Sequence, residues 1–193
     1  IKSPLDHVVG FLRQFEIAFP NAVTDYADAY YMYNNMVNQL NSMGQSLADP
    51  PNVAGWPAYY QAPDYNELWI NADTMPKRNK FTDLMVETGY TKNGKKIIID
   101  TIQFAKTVCT NPADPNLLID SLFAFLVSTD IDTSLKTNLK IQLLLTGQMS
   151  DYYWTDAWNL YLSTPTVINF NIVNTRLKAL LKYIMNLPDY QLQ

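Results

Sequence analysis

One cysteine and one histidine stand in 193 residues. Cys109 has no partner within the chain, which excludes an intrachain disulfide, the cysteine-rich secreted scaffolds and thiolate zinc sites. It does not exclude export, since larger exported domains fold without disulfides. His7 alone builds no two-histidine metal site and leaves a Ser-His-Asp triad without support. Charged residues make up only 17%, and their balance is acidic, at −4 with a pI near 4.8. No basic field is present to neutralise phosphates. The short run "KNGKK" at 92–96 lies beside a turn signal and reads as a solvated loop, so nucleic acid is not an expected partner. No apolar run is long enough to span a membrane, and neither a secretory leader nor a lipidation signal is visible. The chain opens "IKSPLDHVV" without an initiator Met and reads as a processed or truncated fragment, so a missing leader says little about the parent protein. Phosphate-binding glycine loops, zinc-protease, nucleophile-elbow and EF-hand patterns, and glycosylation sequons are all missing.

Apolar residues are plentiful at 48%, enough for a core, and the length suits a single domain over 1–193. Aromatics reach 13%, with 13 tyrosines, and cluster at 26–33, 56–65 and 151–161. Most of the chain carries helical periodicity. Ser3-Pro4 reads as N-cap and first turn of a helix through about residue 19. Thr24 reads as the cap of a second helix, with Tyr30, Tyr33, Met36, Val37 and Leu40 as its buried stripe and Gly44 closing it. Asp73-Thr74 restart a helix to about Thr88, and Asn93-Gly94 fits the turn of a small hairpin. Asp100, Asp114 and Asp132 each open a further helix. A short aromatic helix spans Tyr152 to Leu162, and a last one covers about 167–186. The expected fold is all-α, an irregular bundle of seven or eight helices with one long ordered Pro/Trp-rich loop and at most one hairpin. No repeat period argues for a solenoid.

Catalytic candidates are few. Asp25 and Asp28, and Asp130 and Asp132, sit at helix starts, where capping and the helix dipole explain them. Asp151 and Asp156 flank the aromatic helix and are less readily explained, though a structural role is favoured. His7 is expected on a helix surface or half-buried, and Cys109 in the core. Trp154 and Trp158 are spaced i, i+4. That stripe suits a packing seam or, in the sharper reading, an aromatic surface shared with Tyr59 and Tyr60. No catalytic, cofactor-binding or metal-ligating residue is assigned, and no cofactor is expected.

Residues 47–73 have no period and four prolines, yet are too apolar for disorder. In "MGQSLADPPNVAGWP", at 43–57, Pro50-Pro51 set an extended backbone and Gly55 permits a turn admitting Trp56. Gln45, Asn52 and Asn71 can bond loop groups that have no ladder partner, and Arg78 can tie carbonyls or pair with Asp49 or Asp73. Together with "WINADT" (Trp69, Asn71, Thr74) and Arg78, this segment resembles the bacterial domain-of-unknown-function 1800 family. That family carries G-Q-x-L-x-x-P-P-N-V-x-G-W-P followed by W-[IL]-N-[ST]-x-T-x-x-x-R. Ala72 stands where Ser or Thr is more usual. "IKSPLDHVVGFLR" and the ending "LPDYQLQ" also match family segments. The insert at 58–68 and the aromatic segment at 151–161 depart from it. The resemblance implies a largely helical C-terminal portion of a longer exported protein, periplasmic or secreted, with an exported partner protein plausible. It supplies no reaction and no catalytic residues. From the residues themselves, a clamped structural loop is favoured over a ligand-binding one. The expected role is a non-catalytic interaction module contacting a partner protein or a glycan. The alternative is one wall of a hydrolase-like enzyme whose catalytic residues lie largely in a missing N-terminal portion, with Asn52, Asn71 and Arg78 converging on an open cleft.

Overall fold

A computed structural model describes residues 1–192, so Gln193 at the end of "LPDYQLQ" lies outside it. The fold is mostly helical, and the described residues hold one two-stranded sheet. Two compact units divide the chain, Ile1–Ile99 and Asp100–Leu192.

In the first unit, α1 spans Pro4–Gln14. Its start is a capping box: Ser3 Oγ accepts the Asp6 N–H at 3.1 Å, and the Asp6 carboxylate accepts the Ser3 N–H at 3.2 Å. The helix is shorter than its apolar face suggests, because Glu16 turns left-handed at φ 48 and stops it.

Helix α2 runs Tyr26–Ser42. Thr24 does not cap it. Asn21 Oδ1 instead accepts the Val23 and Thr24 amides at 2.8 and 3.2 Å, and Asp25 occupies the cap position. The buried stripe is Ala29, Met32, Met36 and Leu40, while Tyr30 and Tyr33 are about half exposed. Both stripes fit a helical period and share Met36 and Leu40. Solvation of the phenol hydroxyls favours the one that leaves the tyrosines outside.

Helix α4 (Thr74–Glu87) follows the loop region and its short α3 (Pro57–Tyr60). Beyond it, β1 (Tyr90–Lys92) and β2 (Lys95–Ile97) form the expected antiparallel hairpin, turned by Asn93 and Gly94 at φ 51 and 78. Asn93 and Lys95 hold the hairpin to α2 through Asp28 (2.9 Å) and Asp25 (3.4 Å). The unit's core gathers Val8, Phe11, Met32, Met36, Phe81, Met85 and Ile97.

The second unit contains α5 (Thr101–Val108), α6 (Pro115–Leu126), α7 (Thr133–Leu139), α8 (Tyr152–Ser163) and α9 (Val167–Asn186). Asp100, Asp114 and Asp132 cap α5, α6 and α7 as their positions predict. Helix α9 is the centre of packing and touches α5, α6 and α8. It buries Val173, Leu177, Leu180, Leu181, Ile184 and Met185. A π-helical turn, Lys140–Leu144, continues α7. Arg176 on α9 donates to the carbonyl of Leu144, at the end of that turn, at 3.0 Å and to the carbonyl of Tyr153 in α8 at 2.9 Å.

Candidate functional site

The long aperiodic segment is ordered by two short helical pieces, α3 and a 3-10 turn at Tyr65–Trp69. They pack on one another through aromatic edges. Trp56 meets Tyr59 at 6.5 Å, and Tyr59 meets Trp69 at 5.4 Å, both T-shaped. Trp69 is buried, Trp56 is half-buried, and Tyr59 and Tyr60 are exposed.

Several motif residues form a latch. Asn71 Oδ1 accepts the Asp73 and Thr74 amides, each at 2.9 Å. Thr74 Oγ1 accepts the Asn71 N–H at 3.0 Å and donates to the Trp69 carbonyl at 3.0 Å. This is a reciprocal cap on α4, made by Asn71 rather than by Asp73, which pairs with Lys77 at 2.6 Å. Gln45, fully buried, accepts the Leu5 N–H of α1 through Oε1 at 2.8 Å and donates to the Tyr59 hydroxyl at 3.3 Å. Arg78 is also fully buried, and its Nη2 donates to the Lys2 carbonyl at 2.8 Å. The two polar side chains thus tie this region to the start of α1. Asn52 stays local, accepting the Ala54 N–H at 2.8 Å and donating to the Tyr60 hydroxyl at 2.9 Å.

Behind the latch lies a basic cluster. His7, expected near the surface, is buried, its ring edge-on to Phe81 at 6.0 Å. Burial, reinforced by Arg78, lowers its pKa to about 3. Lys2 is lowered to about 8 by burial and by Arg78, and Arg78 itself to about 10 by burial. His7 is therefore neutral at neutral pH, held beside two cations.

A cleft of about 580 Å³ opens at the loop, within the roughly 300–1,000 Å³ typical of small-ligand sites. Trp56, Trp69, Asn71 and Thr74 of the motif line it, and Arg78 does not. Asn41, Ser46, Asp49 and Gln61 line it too. Asn41, Ser46 and Gln61 carry no sequence signal of their own. They are ordinary polar residues that only the folding of the loop against the end of α2 brings together. Asp49, weighed from sequence as a partner for Arg78, lies on the cleft wall instead.

The other candidates fall elsewhere. Trp154 and Trp158 are buried and belong to no surface. The Trp154 Nε1 donates to the Pro112 carbonyl at 2.8 Å, and the two rings tilt together at 5.6 Å. Asp151 is engaged by Lys140 and Asn116, each at 2.8 Å, which holds its carboxyl below the usual range. Asp156 faces Tyr152 and raises that phenol's pKa. Each of the two carboxylates thus has its own partners. Cys109 is buried. Among the described residues no group of three or more His, Cys, Asp or Glu is placed to hold a metal ion, and no helix is long and apolar enough to cross a membrane.

Fold and latch together define a mostly helical protein whose Pro/Trp-rich loop is fastened to its first and fourth helices. A family model described as "Protein of unknown function (DUF1800)" matches residues 1–192, and the chain belongs to that family. No curated protein and no solved structure matches it.

Proposed function

We propose that this chain is a non-catalytic interaction module of an exported bacterial protein, engaging a partner protein or a glycan at the cleft of its first unit. One observation carries the reading: among the described residues Asp49 is the single ionisable side chain on the cleft wall, beside amides, two hydroxyls and two indoles. Acid–base or nucleophile–base chemistry needs two positioned groups, whereas recognition needs shape, apolar surface and a few polar contacts. The buried His7 and Cys109 lie outside that wall. Export, and a periplasmic or secreted location, come from the family resemblance.

Hydrogen–deuterium exchange against a panel of peptides and oligosaccharides tests the reading. Protection of segments 43–61 and 65–74 by any member supports it. Turnover of a chromogenic ester, glycoside or phosphate substrate, abolished by Asp49→Asn, would sink it in favour of a hydrolase.

A further inference from the structure

We infer that the cleft takes a neutral carbohydrate, a proposal that rests on the cleft being the binding face. Charge narrows the field first. Among the described residues no Lys, Arg or His lines the cleft, and its one charged group is the Asp49 carboxylate. Phosphorylated, sulfated and uronic ligands would therefore bring an anion to a wall with no counter-cation and an acid already present. A neutral ligand meets no such penalty.

The polar groups narrow it further. The side chains of Asn41, Ser46, Asp49 and Gln61 carry no hydrogen bond or ion pair to other described residues, although the same loop employs Gln45, Asn52, Asn71 and Thr74 fully. Two amides, a hydroxyl and a carboxylate offer donors and acceptors side by side. A sugar hydroxyl both donates and accepts, and neighbouring hydroxyls match a planar amide or carboxylate in pairs. The half-buried Trp56 is braced edge-on by Tyr59, which fixes a flat apolar face beside those groups. Sugar rings present one apolar C–H face and a rim of hydroxyls, the complement of that arrangement. Trp69, also on the wall, has a buried indole N–H with no acceptor among the described residues. That nitrogen is closed to solvent, so the polar groups offered to a ligand are those of Asn41, Ser46, Asp49 and Gln61. A proline-rich peptide would use the aromatic face but leave most of the polar groups idle.

The test is titration of the chain with neutral oligosaccharides of the cello-, xylo-, malto-, chito- and β-1,3-gluco- series, with alginate oligosaccharides and a proline-rich peptide alongside. Tryptophan fluorescence and calorimetry give the readout. The expected result is saturable binding of at least one neutral series, weakened tenfold or more by Trp56→Ala. Gln61→Ala and Asp49→Ala, at exposed side chains without internal bonds, weaken it severalfold while leaving the unfolding midpoint unchanged. Tyr183→Ala in α9 has no effect. Binding of alginate alone, or no binding at all, overturns the inference. Binding of the peptide alone also overturns it, yet leaves the interaction module standing. Cleavage of a bound oligosaccharide overturns the non-catalytic reading while sparing the ligand class.

Discussion

At the scale of single residues, Gly89 is the glycine least able to take a side chain. It sits at φ 67, and a Cβ there would lie 2.2 Å from the Ile97 carbonyl oxygen and 2.7 Å from the Ile98 Cβ. A left-handed L-residue alone costs roughly 1–2 kcal/mol, and backbone cannot retreat as a flexible side chain can. Gly89→Ala is expected to lose more than about 2 kcal/mol, read from the urea midpoint at constant slope. Gly10, inside α1 with nothing within 4 Å of its missing Cβ, sets the opposite expectation. Gly10→Ala should gain about 0.5–1 kcal/mol, since alanine loses less backbone entropy in a helix. His7 supplies a pH dependence with a definite sign. Its folded pKa is about 3 against an ordinary 6.5, so in that window the unfolded chain binds the extra proton. The contribution is fully present above pH 6.5 and declines as pH falls toward 3, by up to about 1.4 kcal/mol per pH unit. Carboxylates titrate in the same range, so the discriminating quantity is the difference from His7→Gln. The variant should show a shallower loss below pH 6.5, and parallel curves would refute the assignment.

At the scale of elements, Gln45, Asn71 and Thr74 make helix-end bonds. Every backbone donor in the first turn of α1 is accounted for: Pro4 has none, Leu5 goes to Gln45, Asp6 to Ser3 Oγ, and His7 to the Ser3 carbonyl. The motif threonine does equal service for α4. Thr74→Val keeps the shape of a buried side chain but removes an acceptor for Asn71 and a donor to Trp69. A loss of about 1–3 kcal/mol is expected, with Thr74→Ser recovering most of it. Gln45→Leu should speed amide exchange at Leu5 while leaving α9 unchanged, which a general loss of stability would not do. These bonds also mark where sequence reading succeeds and where it stops. Ser3-Pro4 and the three aspartate caps were legible because a cap and its target lie within three residues of each other. The hairpin was legible because Asn93-Gly94 fits few other backbones. Gln45 to Leu5 and Arg78 to Lys2 span 40 and 76 residues, and nothing local fixes such pairs. The α2 stripe failed for a different reason: two registers one residue apart have the same period, and solvation of the phenol hydroxyls leaves Tyr30 and Tyr33 outside. The cleft was half visible, through Trp56, Trp69, Asn71 and Thr74. Its free amides were not, since an unengaged polar side chain looks like any surface residue.

At the scale of the whole molecule, charge and apolar surface are unevenly spread. From Ala157 to Thr175 the chain carries no charged residue. That stretch forms the end of α8 and the start of α9, and within it Val167 and Ile168 are 76% and 71% exposed, with Leu160 and Leu162 about half exposed. Solvent-facing apolar side chains scattered singly are ordinary, but a run of them with no charge of its own, approached by Lys106 over the Tyr161 ring at 5.5 Å, has little of the repulsion that keeps monomers apart. The net charge of −4 supplies the remaining repulsion, and it vanishes near the pI of about 4.8. Self-association is therefore expected to rise as pH falls toward that value, and to rise again with sulfate, which strengthens apolar burial. Ile168→Lys places a cation in the middle of the run. Above the pI it brings the net charge from −4 to −3 and so slightly weakens global repulsion. If charge alone governed association, the variant would associate more than wild type. If the apolar run governs it, the variant associates less, with an unfolding midpoint within about 0.5 kcal/mol of wild type because the side chain is solvated in the folded state. Sedimentation velocity at two concentrations separates the two cases. A variant that associates more strongly than wild type at neutral pH would remove the α8–α9 end as the source.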